Sequence, residues 1–266
     1  MLRLKSALKK NAPDSAIHAL KKVYYPWLLK RFPEGRWPSS AVVKHLVQPG
    51  DLVIDAGANI GYVTLLLSKW VGHEGKVISF EPVPQTFELL SHNLHCLRLK
   101  NVTAINLGLS SESGTVRMRI PSDKDGSGNY YEASIVDAHR DQETGASTMV
   151  EVGRLDSFLP VIPRQLSFIK IDVEGHEFEV IQGSERILHS VKPALLVEIS
   201  GNPDEAESKT NKLFRMLAGM DYKAYHWKDG GLRERLLGEI PSDCFFLQRN
   251  HQKRLADLSA PILARA

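Results

Sequence analysis

Acidic residues follow apolar segments of this chain at positions where side chains could act on a ligand. Asp55, Glu81 and the pair Asp172 and Glu174 each come at the end of a short apolar run. Open α/β sheets bind ligands at the carboxyl ends of their strands, and these acids are expected there. Carboxylates at that edge can accept hydrogen bonds from ribose hydroxyls, attract a cationic group or orient a substrate hydroxyl. The acids therefore predict a ligand site at one edge of a parallel sheet.

A turn spaced by glycines follows Asp55 and leads into a helical pattern without further Gly or Pro. The turn contains Gly57, Asn59 and Gly61, and Glu81 lies twenty residues beyond Gly61. A strand, a glycine turn, a helix and a second strand ending in an acid are typical of nucleotide-binding sheets, in which that acid contacts the ribose. The pattern predicts that these residues bind a nucleoside.

The composition of the turn favours S-adenosylmethionine over NAD. A dinucleotide site has a third glycine that lets the helix approach a pyrophosphate closely, whereas Tyr62, Val63 and Thr64 occupy the corresponding stretch. Asp55 would repel a pyrophosphate but attract the sulfonium or ammonium group of S-adenosylmethionine. Two alternatives stay open, namely an NAD-type oxidoreductase and a non-catalytic module that binds a nucleoside.

Several segments of the chain resemble the FkbM-type methyltransferases, which are class I enzymes that use S-adenosylmethionine. The most specific pair is the DAGANIG turn at 55–61 and the KIDVEG segment at 170–175. The resemblance implies O-methylation of a sugar hydroxyl in a glycolipid, a polysaccharide or a natural product. The matching segments follow the family's order and cover most of residues 50–200, at 52–68, 76–94, 101–118, 150–159, 166–188 and 193–200.

Alternating strand and helix patterns predict an α/β fold. We expect a Rossmann-like, seven-stranded, mostly parallel sheet with helices on both faces, preceded by N-terminal cap helices. The strands are predicted near 52–55, 76–80, 102–106, 167–171, 194–199, 222–227 and 243–248, and the helices at 60–70, 84–97, 176–189 and 204–219.

Two regions stand apart from the main alternation. Residues 1–45 are expected to form a basic helical cap, and residues 46–266 the methyltransferase domain. A substrate-loop insertion is predicted near 114–153, with two extra strands at 116–120 and 148–152. The segment between these strands is rich in Gly, Ser and Asp, which predicts a mobile surface loop.

The cofactor is expected to lie across the ends of the first three strands. Adenine is predicted beside the end of the third strand, where Leu107 could flank the ring and backbone groups could read its edge. The predicted cofactor-binding residues are Asp55, Gly57, Asn59, Gly61, Glu81, Pro82, Asn106 and Leu107.

The predicted catalytic residues are Asp172, Glu174 and His176, at the end of the fourth main strand. His176 is the best nearby general base because histidine titrates near neutral pH, although a histidine turned to solvent at a helix start is an equal alternative. Asp172 and Glu198 end adjacent strands, and their oxygens could hold Mg²⁺. No adjoining Asp–Asn pair follows Glu198, so metal dependence stays open.

The N-terminal segment is strongly basic and partly apolar. Residues 1–36 hold nine Lys or Arg and two acids, while the whole chain has a net charge of +3. This segment could lie on an anionic membrane surface or contact a lipid-linked substrate. The alternative is one or two cap helices with solvated lysines, broken at Pro26, Pro33 and Pro38.

Composition narrows the cellular setting and the partners. A chain of 266 residues with 42% hydrophobic residues can bury one α/β core. Two cysteines, Cys96 and Cys244, predict free thiols in a reducing compartment. We expect a cytoplasmic protein, with peripheral membrane contact as an alternative. The acceptor is expected to be a small molecule or a glycan and not a nucleic acid, because no broad basic face or base-flipping motif is visible.

Overall fold

The computed structural model describes residues 14–121, 133–135, 146–161, 163 and 165–256. The helices are α1 Asp14–Lys30, α2 Ser40–Leu46, α3 Tyr62–Val71, α4 Pro84–Cys96, α5 Leu155–Phe158, α6 Glu177–Gln182, α7 Glu185–Ser190, α8 Lys209–Gly219 and α9 Arg249–Ala256. The strands are β1 Leu52–Ala56, β2 Lys76–Phe80, β3 Val102–Ile105, β4 Gly108–Leu109, β5 Gly114–Ile120, β6 Ser134–Ile135, β7 Ala146–Gly153, β8 Leu166–Ile171, β9 Ala194–Glu198, β10 Lys223–Lys228, β11 Gly231–Glu234 and β12 Asp243–Leu247.

The main sheet has eight strands in the order β11-β10-β12-β9-β8-β1-β2-β3. Strands β9, β8, β1, β2 and β3 run parallel, whereas β12 is antiparallel to β9 and to β10. Successive side chains of a strand point to opposite faces, so Ile54 and Val53 enter two different apolar clusters. Helices α6, α7 and α8 cover one face, and α2, α3 and α9 the other. The predicted α/β sheet with helices on both faces is confirmed.

The predicted number of seven strands is wrong because a hairpin adds β11 at the edge of the sheet. Lys228 pairs with Gly231 across a two-residue turn. Both turn residues, Asp229 and Gly230, have positive φ, at 51° and 76°. An Asp-Gly turn of this kind matches the twist of the two strands that it joins.

A second sheet of four strands, in the order β4-β7-β5-β6, lies in the predicted insertion. The two extra strands expected at 116–120 and 148–152 are confirmed as parts of β5 and β7. This sheet buries Met118 and Val152 together with Val83, which precedes α4. Most of the segment predicted to be a mobile loop lies outside the described residues.

Two of the predicted helices have different bounds in the structure. The helix expected at 176–189 is divided into α6 and α7 at Gly183, where an added Cβ would lie 1.9 Å from the carbonyl oxygen of Ser110. The helix expected at 204–219 begins at Lys209, because the Ser208 hydroxyl accepts a hydrogen bond from the Asn211 N–H and caps it. Close backbone approaches and caps of this kind move helix ends without changing the order of elements.

The N-terminal helices pack against the main domain. Helix α1 continues through Pro26, so the predicted break there is wrong. A proline removes one hydrogen bond of the helix, and Leu29, one turn later, is buried. Helix α1 packs on α4, and α2 packs on α9. Within the described residues, no helix combines the length and the apolar character required to cross a bilayer.

Candidate active site

The glycine turn after β1 passes very close to the end of β8. Gly57 has φ of +78°, and an added Cβ would lie 1.8 Å from the carbonyl oxygen of Asp172. The N–H groups of Gly57 and Ala58 both donate to the carbonyl oxygen of Phe80, at 3.0 and 2.9 Å. The turn therefore joins the carboxyl ends of β8, β1 and β2, and only glycine fits at position 57.

A cavity of about 480 Å³ opens at this edge of the sheet. Its volume lies in the range of small-molecule sites. The N-terminal segment contributes Tyr25 and Phe32 to its wall, and the second sheet contributes Met118 and Ile135. The predicted site residues that line it are Gly57, Asn59, Glu81, Pro82, Leu107, Asp172, Glu174 and His176. The N-terminal segment and the second sheet thus both help to enclose the predicted ligand site.

Glu81 is a buried carboxylate held by the backbone. One of its oxygens accepts a hydrogen bond from the Asn59 N–H at 2.9 Å, and the other accepts from the Val83 N–H at 3.0 Å. Burial raises the pKa of Glu81 to about 7, although the two backbone donors favour the charged form. The side chain is therefore fixed at the cavity wall and can change protonation near neutral pH.

The other predicted cofactor residues have different positions relative to the cavity. Pro82 and Leu107 line it, whereas the Asn106 side chain donates to the carbonyl oxygens of Glu81 and Pro82, at 2.8 and 2.9 Å. Asn106 thus braces the chain after β2. Gly61, with φ of +95°, lies where α3 begins. That these residues contact the adenine side of the cofactor stays a prediction.

Asp55 does not line the cavity, because its side chain is fully buried behind the turn. It accepts a hydrogen bond from the Thr64 hydroxyl at 2.5 Å and lies 3.6 Å from the Lys170 ammonium. Lys170 is also buried, lies 3.0 Å from the Asp172 carboxylate and donates to the Gly57 carbonyl at 3.2 Å. Asp55 therefore acts on the site through Lys170 and the turn.

Lys170 is the site residue to which the sequence reasoning assigned no role. Burial opposes the charge of its ammonium, but Asp55 and Asp172 outweigh burial, and the pKa of Lys170 is raised. One sequence signal could have identified it. Lysine stands alone among apolar residues at 168–171, and a buried ammonium needs anionic partners.

The segment after β8 is a tight turn that presents two acids. Glu174 and Gly175 both have positive φ, at 55° and 92°. Glu177 is buried, and one of its oxygens accepts from the N–H groups of Val173 and Gly175, at 3.3 and 2.9 Å. Burial raises the pKa of Glu177 despite these bonds. Glu177 therefore fixes the turn that carries Asp172 and Glu174 into the cavity.

His176 is held on both sides of its ring at the start of α6. Its Nε2 lies 2.9 Å from the Ser110 hydroxyl, and its Nδ1 lies 3.5 Å from the Glu179 carboxylate. Glu179 in turn pairs with Lys209 at 2.8 Å. The side chain is 14% exposed, so the alternative of a histidine turned fully to solvent is excluded. Contact with an acceptor would require His176 to release Ser110.

Three acids form a compact group at the ends of β8 and β9. Asp172, Glu174 and Glu198 each offer an oxygen, and these oxygens lie within 4.8 Å of one another. Burial, followed by the charge of Asp172, raises the pKa of Glu198 to about 8. Acids grouped in this way are common without a bound ion, so Mg²⁺ at Asp172 and Glu198 stays a prediction.

Comparison with known proteins decides the family. A family model described as the Methyltransferase FkbM domain matches residues 55–224, more than half of the chain. The chain belongs to the FkbM methyltransferase family. The matched range begins at Asp55 and includes the glycine turn, Glu81 and the acids after β8. The resemblance inferred from the sequence is confirmed.

Two named methyltransferases and one solved structure are similar to parts of this chain. Methyltransferase 1 of Beauveria bassiana is 28% identical over 172 residues, which cover 59% of this chain and 68% of that protein. Hexuronic acid methyltransferase AglP of Haloferax volcanii is 31% identical over 154 residues, which cover 58% of each. A solved FkbM methyltransferase from Methylobacillus flagellatus KT is 17% identical, with a TM-score of 0.47, and the match covers 74% of this chain and 43% of that one.

Family membership makes this FkbM protein an S-adenosylmethionine-dependent methyltransferase, and the NAD and non-catalytic alternatives are set aside. The cavity fits that cofactor by its own chemistry. Glu81 offers carboxylate oxygens for ribose hydroxyls, Leu107 offers an apolar wall, and the acids after β8 face a region suited to a positive group. In this arrangement Glu81 would hold the ribose, and the glycine turn would hold the amino-acid portion.

Replacing Glu81 with glutamine is expected to weaken S-adenosylmethionine binding by about 1.5–3 kcal/mol, the typical contribution of hydrogen bonds to a charged group. The carboxylate can accept from both ribose hydroxyls, whereas the amide cannot. Because the pKa of Glu81 is about 7, wild-type binding should strengthen as pH rises through 7, and the variant should lack that change. Calorimetry across this pH range measures both effects, and Glu74→Gln, at an exposed loop residue, is the control. Equal affinity for wild type and Glu81→Gln at every pH would contradict the assignment.

Proposed function

We propose that this enzyme transfers the methyl group of S-adenosylmethionine to a sugar hydroxyl of a glycolipid, a polysaccharide or a natural product. The observation that carries the proposal is that Asp172, Glu174 and His176 line the same cavity as the glycine turn and Glu81. Groups that can orient a hydroxyl and groups suited to a nucleoside thus meet in one space. The hexuronic acid methyltransferase of Haloferax volcanii supports a sugar acceptor, at 31% identity.

Positioning is the main contribution of the chain in this proposal. When bound, S-adenosylmethionine would supply an electrophilic methyl group on its sulfonium: the acceptor oxygen would bond to the methyl carbon in line with the sulfur, the C–S bond would break, and S-adenosylhomocysteine would leave. Holding the two reacting groups in that geometry can contribute about 7–11 kcal/mol. Asp172 accepts the hydrogen bond of the acceptor hydroxyl, and Lys170, 3.0 Å away, fixes its carboxylate. Glu177 fixes the turn on which Glu174 approaches the same hydroxyl.

The hydroxyl proton has two possible destinations. His176 can act as the general base, oriented by Glu179 at 3.5 Å, once Ser110 is displaced. Alternatively, Mg²⁺ held by Asp172 and Glu198 would lower the pKa of the hydroxyl so that the proton leaves to water. The compact group of acids supports the second route, and the position of His176 in the cavity wall supports the first. Activity measured with and without a metal chelator distinguishes the two routes.

The test is transfer of labelled methyl from S-adenosylmethionine to a panel of glycans that includes hexuronic acids, with mass analysis of the product. We expect a methyl ether on a sugar hydroxyl, formed about 10²–10⁴-fold more slowly by Asp172→Asn. Loss of activity in EDTA with recovery in Mg²⁺ would support the metal route. Activity that survives EDTA but is lost in His176→Ala would support the base route. Transfer to nitrogen or carbon acceptors, with no sugar product, would overturn the proposal.

A further inference from the structure

Helix α1 turns large apolar side chains toward solvent. Leu20, Val23, Tyr24 and Trp27 are 64, 74, 36 and 50% exposed. Their spacing of three and four residues places them on one side of the helix, and we call this set the α1 stripe. Of the ten large apolar side chains exposed in the described part of the chain, four belong to it.

The opposite side of α1 holds the helix on the domain. Lys22 pairs with Glu88 of α4, and His18 Nε2 lies 3.0 Å from the same carboxylate. Leu29 is buried, and Tyr25 lines the cavity. A helix on a protein surface usually buries its apolar stripe and exposes its charges. Here lysine lies on the inner side and the α1 stripe lies outside, so packing within the described residues does not account for the stripe.

Basic residues border the α1 stripe. Lys30 and Arg31 are exposed at the end of α1, and the Arg31 guanidinium lies 4.5 Å from the centre of the Trp27 ring. Residues 1–36 carry a charge of +7, from nine Lys or Arg and two acids, so the rest of the +3 chain sums to −4. Lys30 and Arg31 thus place positive charge beside an exposed apolar and aromatic face. That combination is typical of helices that lie on anionic bilayers, where aromatic rings occupy the interface and basic groups contact headgroups.

A second exposed apolar set lies near the carboxyl edge of the main sheet. Leu236, Leu237 and Ile240 are 67, 87 and 58% exposed in the loop between β11 and β12. The Gly238 N–H in this loop donates to the Asp204 carboxylate at 2.7 Å, and Asp204 follows the carboxyl end of β9. The cavity opens at that edge, and α1 forms part of its wall. Helix α1 packs on α4, whereas this loop adjoins the opposite end of the strand order, so the two apolar sets are separate surfaces.

We propose that the α1 stripe is a docking surface for a bilayer that carries anionic headgroups. Leu20, Val23 and Trp27 insert among the acyl chains, and Lys30 and Arg31 contact the headgroups. The inference goes beyond the proposed function and requires no assumption about the acceptor.

Vesicle sedimentation of the full-length protein tests this surface. The vesicles contain phosphatidylcholine alone or phosphatidylcholine with phosphatidylglycerol. We expect the wild type to bind the anionic vesicles, and the triple variant Leu20→Ser/Val23→Ser/Trp27→Ser to bind at least about tenfold more weakly. Lys30→Glu/Arg31→Glu should weaken binding similarly, and high salt should weaken wild-type binding because it screens headgroup charge.

The matched control is Val161→Ser, which removes an apolar side chain that is 80% exposed. Residue 161 precedes β8 and so lies at the edge of the sheet opposite the cavity. The Val161→Ser variant should bind vesicles as well as the wild type does. Thermal melting and S-adenosylmethionine binding in each variant verify that the fold is intact.

Equal sedimentation of wild type and triple variant would overturn the proposal. The proposal would also be overturned if the wild type bound neither kind of vesicle and formed a dimer that the triple variant does not form. That result would assign the α1 stripe to self-association. Neither result depends on the acceptor, so the proposed function is judged separately.

Discussion

Asp172→Asn and Glu174→Gln are each expected to lower turnover by about 10²–10⁴ while cofactor affinity stays within a few-fold, the range for lost acid–base assistance. Both acids line the cavity beyond the glycine turn, where an acceptor hydroxyl must approach the methyl group. Their amides keep the shape of the side chain but cannot accept the hydroxyl hydrogen bond with a full charge. Single-turnover rates and cofactor titration on the same preparations measure the two quantities.

The control for this pair is Glu74→Gln, because Glu74 is 79% exposed and lies before β2, at the edge opposite the cavity. It should keep wild-type turnover. If each of the three single variants Asp172→Asn, Glu174→Gln and His176→Ala kept full turnover, the acceptor would have to bind elsewhere.

Lys170→Met is expected to lower the free energy of unfolding by about 3–5 kcal/mol, because removing one partner of a buried ion pair leaves a buried charge uncompensated. Asp55 is fully buried and would lose its only cationic partner among the described contacts. Adding Asp55→Asn to Lys170→Met should recover part of the loss, since the orphaned charge is then removed as well. Urea denaturation followed by circular dichroism measures all three proteins.

A surface lysine provides the comparison for Lys170. Lys223 is 58% exposed and pairs with Glu234, which is 51% exposed, and exposed pairs of this kind contribute about 0–1 kcal/mol. Lys223→Met should therefore have a small effect. If Lys170→Met were as stable as Lys223→Met, the Lys170 pairing would have no structural importance.

Much of the fold could be predicted because it is encoded locally. The apolar runs that end at Asp55 and Glu81 are strands whose length and neighbours leave few alternatives, and the structure has β1 and β2 there. The positions of the acids at strand ends followed from the same pattern. The strand β11 was missed although Asp229 and Gly230 are a strong local signal for a hairpin. The local sequence therefore contains the turn that specifies β11.

Other differences depend on contacts between distant segments. At Gly183, between α6 and α7, the carbonyl of Ser110 leaves no room for a Cβ, so this position requires glycine. Helix α1 continues through Pro26, and Leu29 is buried one turn later. The approach of Ser110 to Gly183 is not visible in the local sequence, because the two residues lie far apart in the chain.

By itself, the sequence determined the strand–turn–helix order, the glycine turn, the acids at the strand ends and the family that these residues indicate. Only the tertiary structure decided that Asp55 faces Lys170 and lies behind the cavity wall. The reason is the register of β1 and β8, which pairs Asp55 directly with Lys170. Paired residues of parallel strands direct their side chains to the same face of a sheet, and a register between segments so far apart in the chain is set by packing of the whole core.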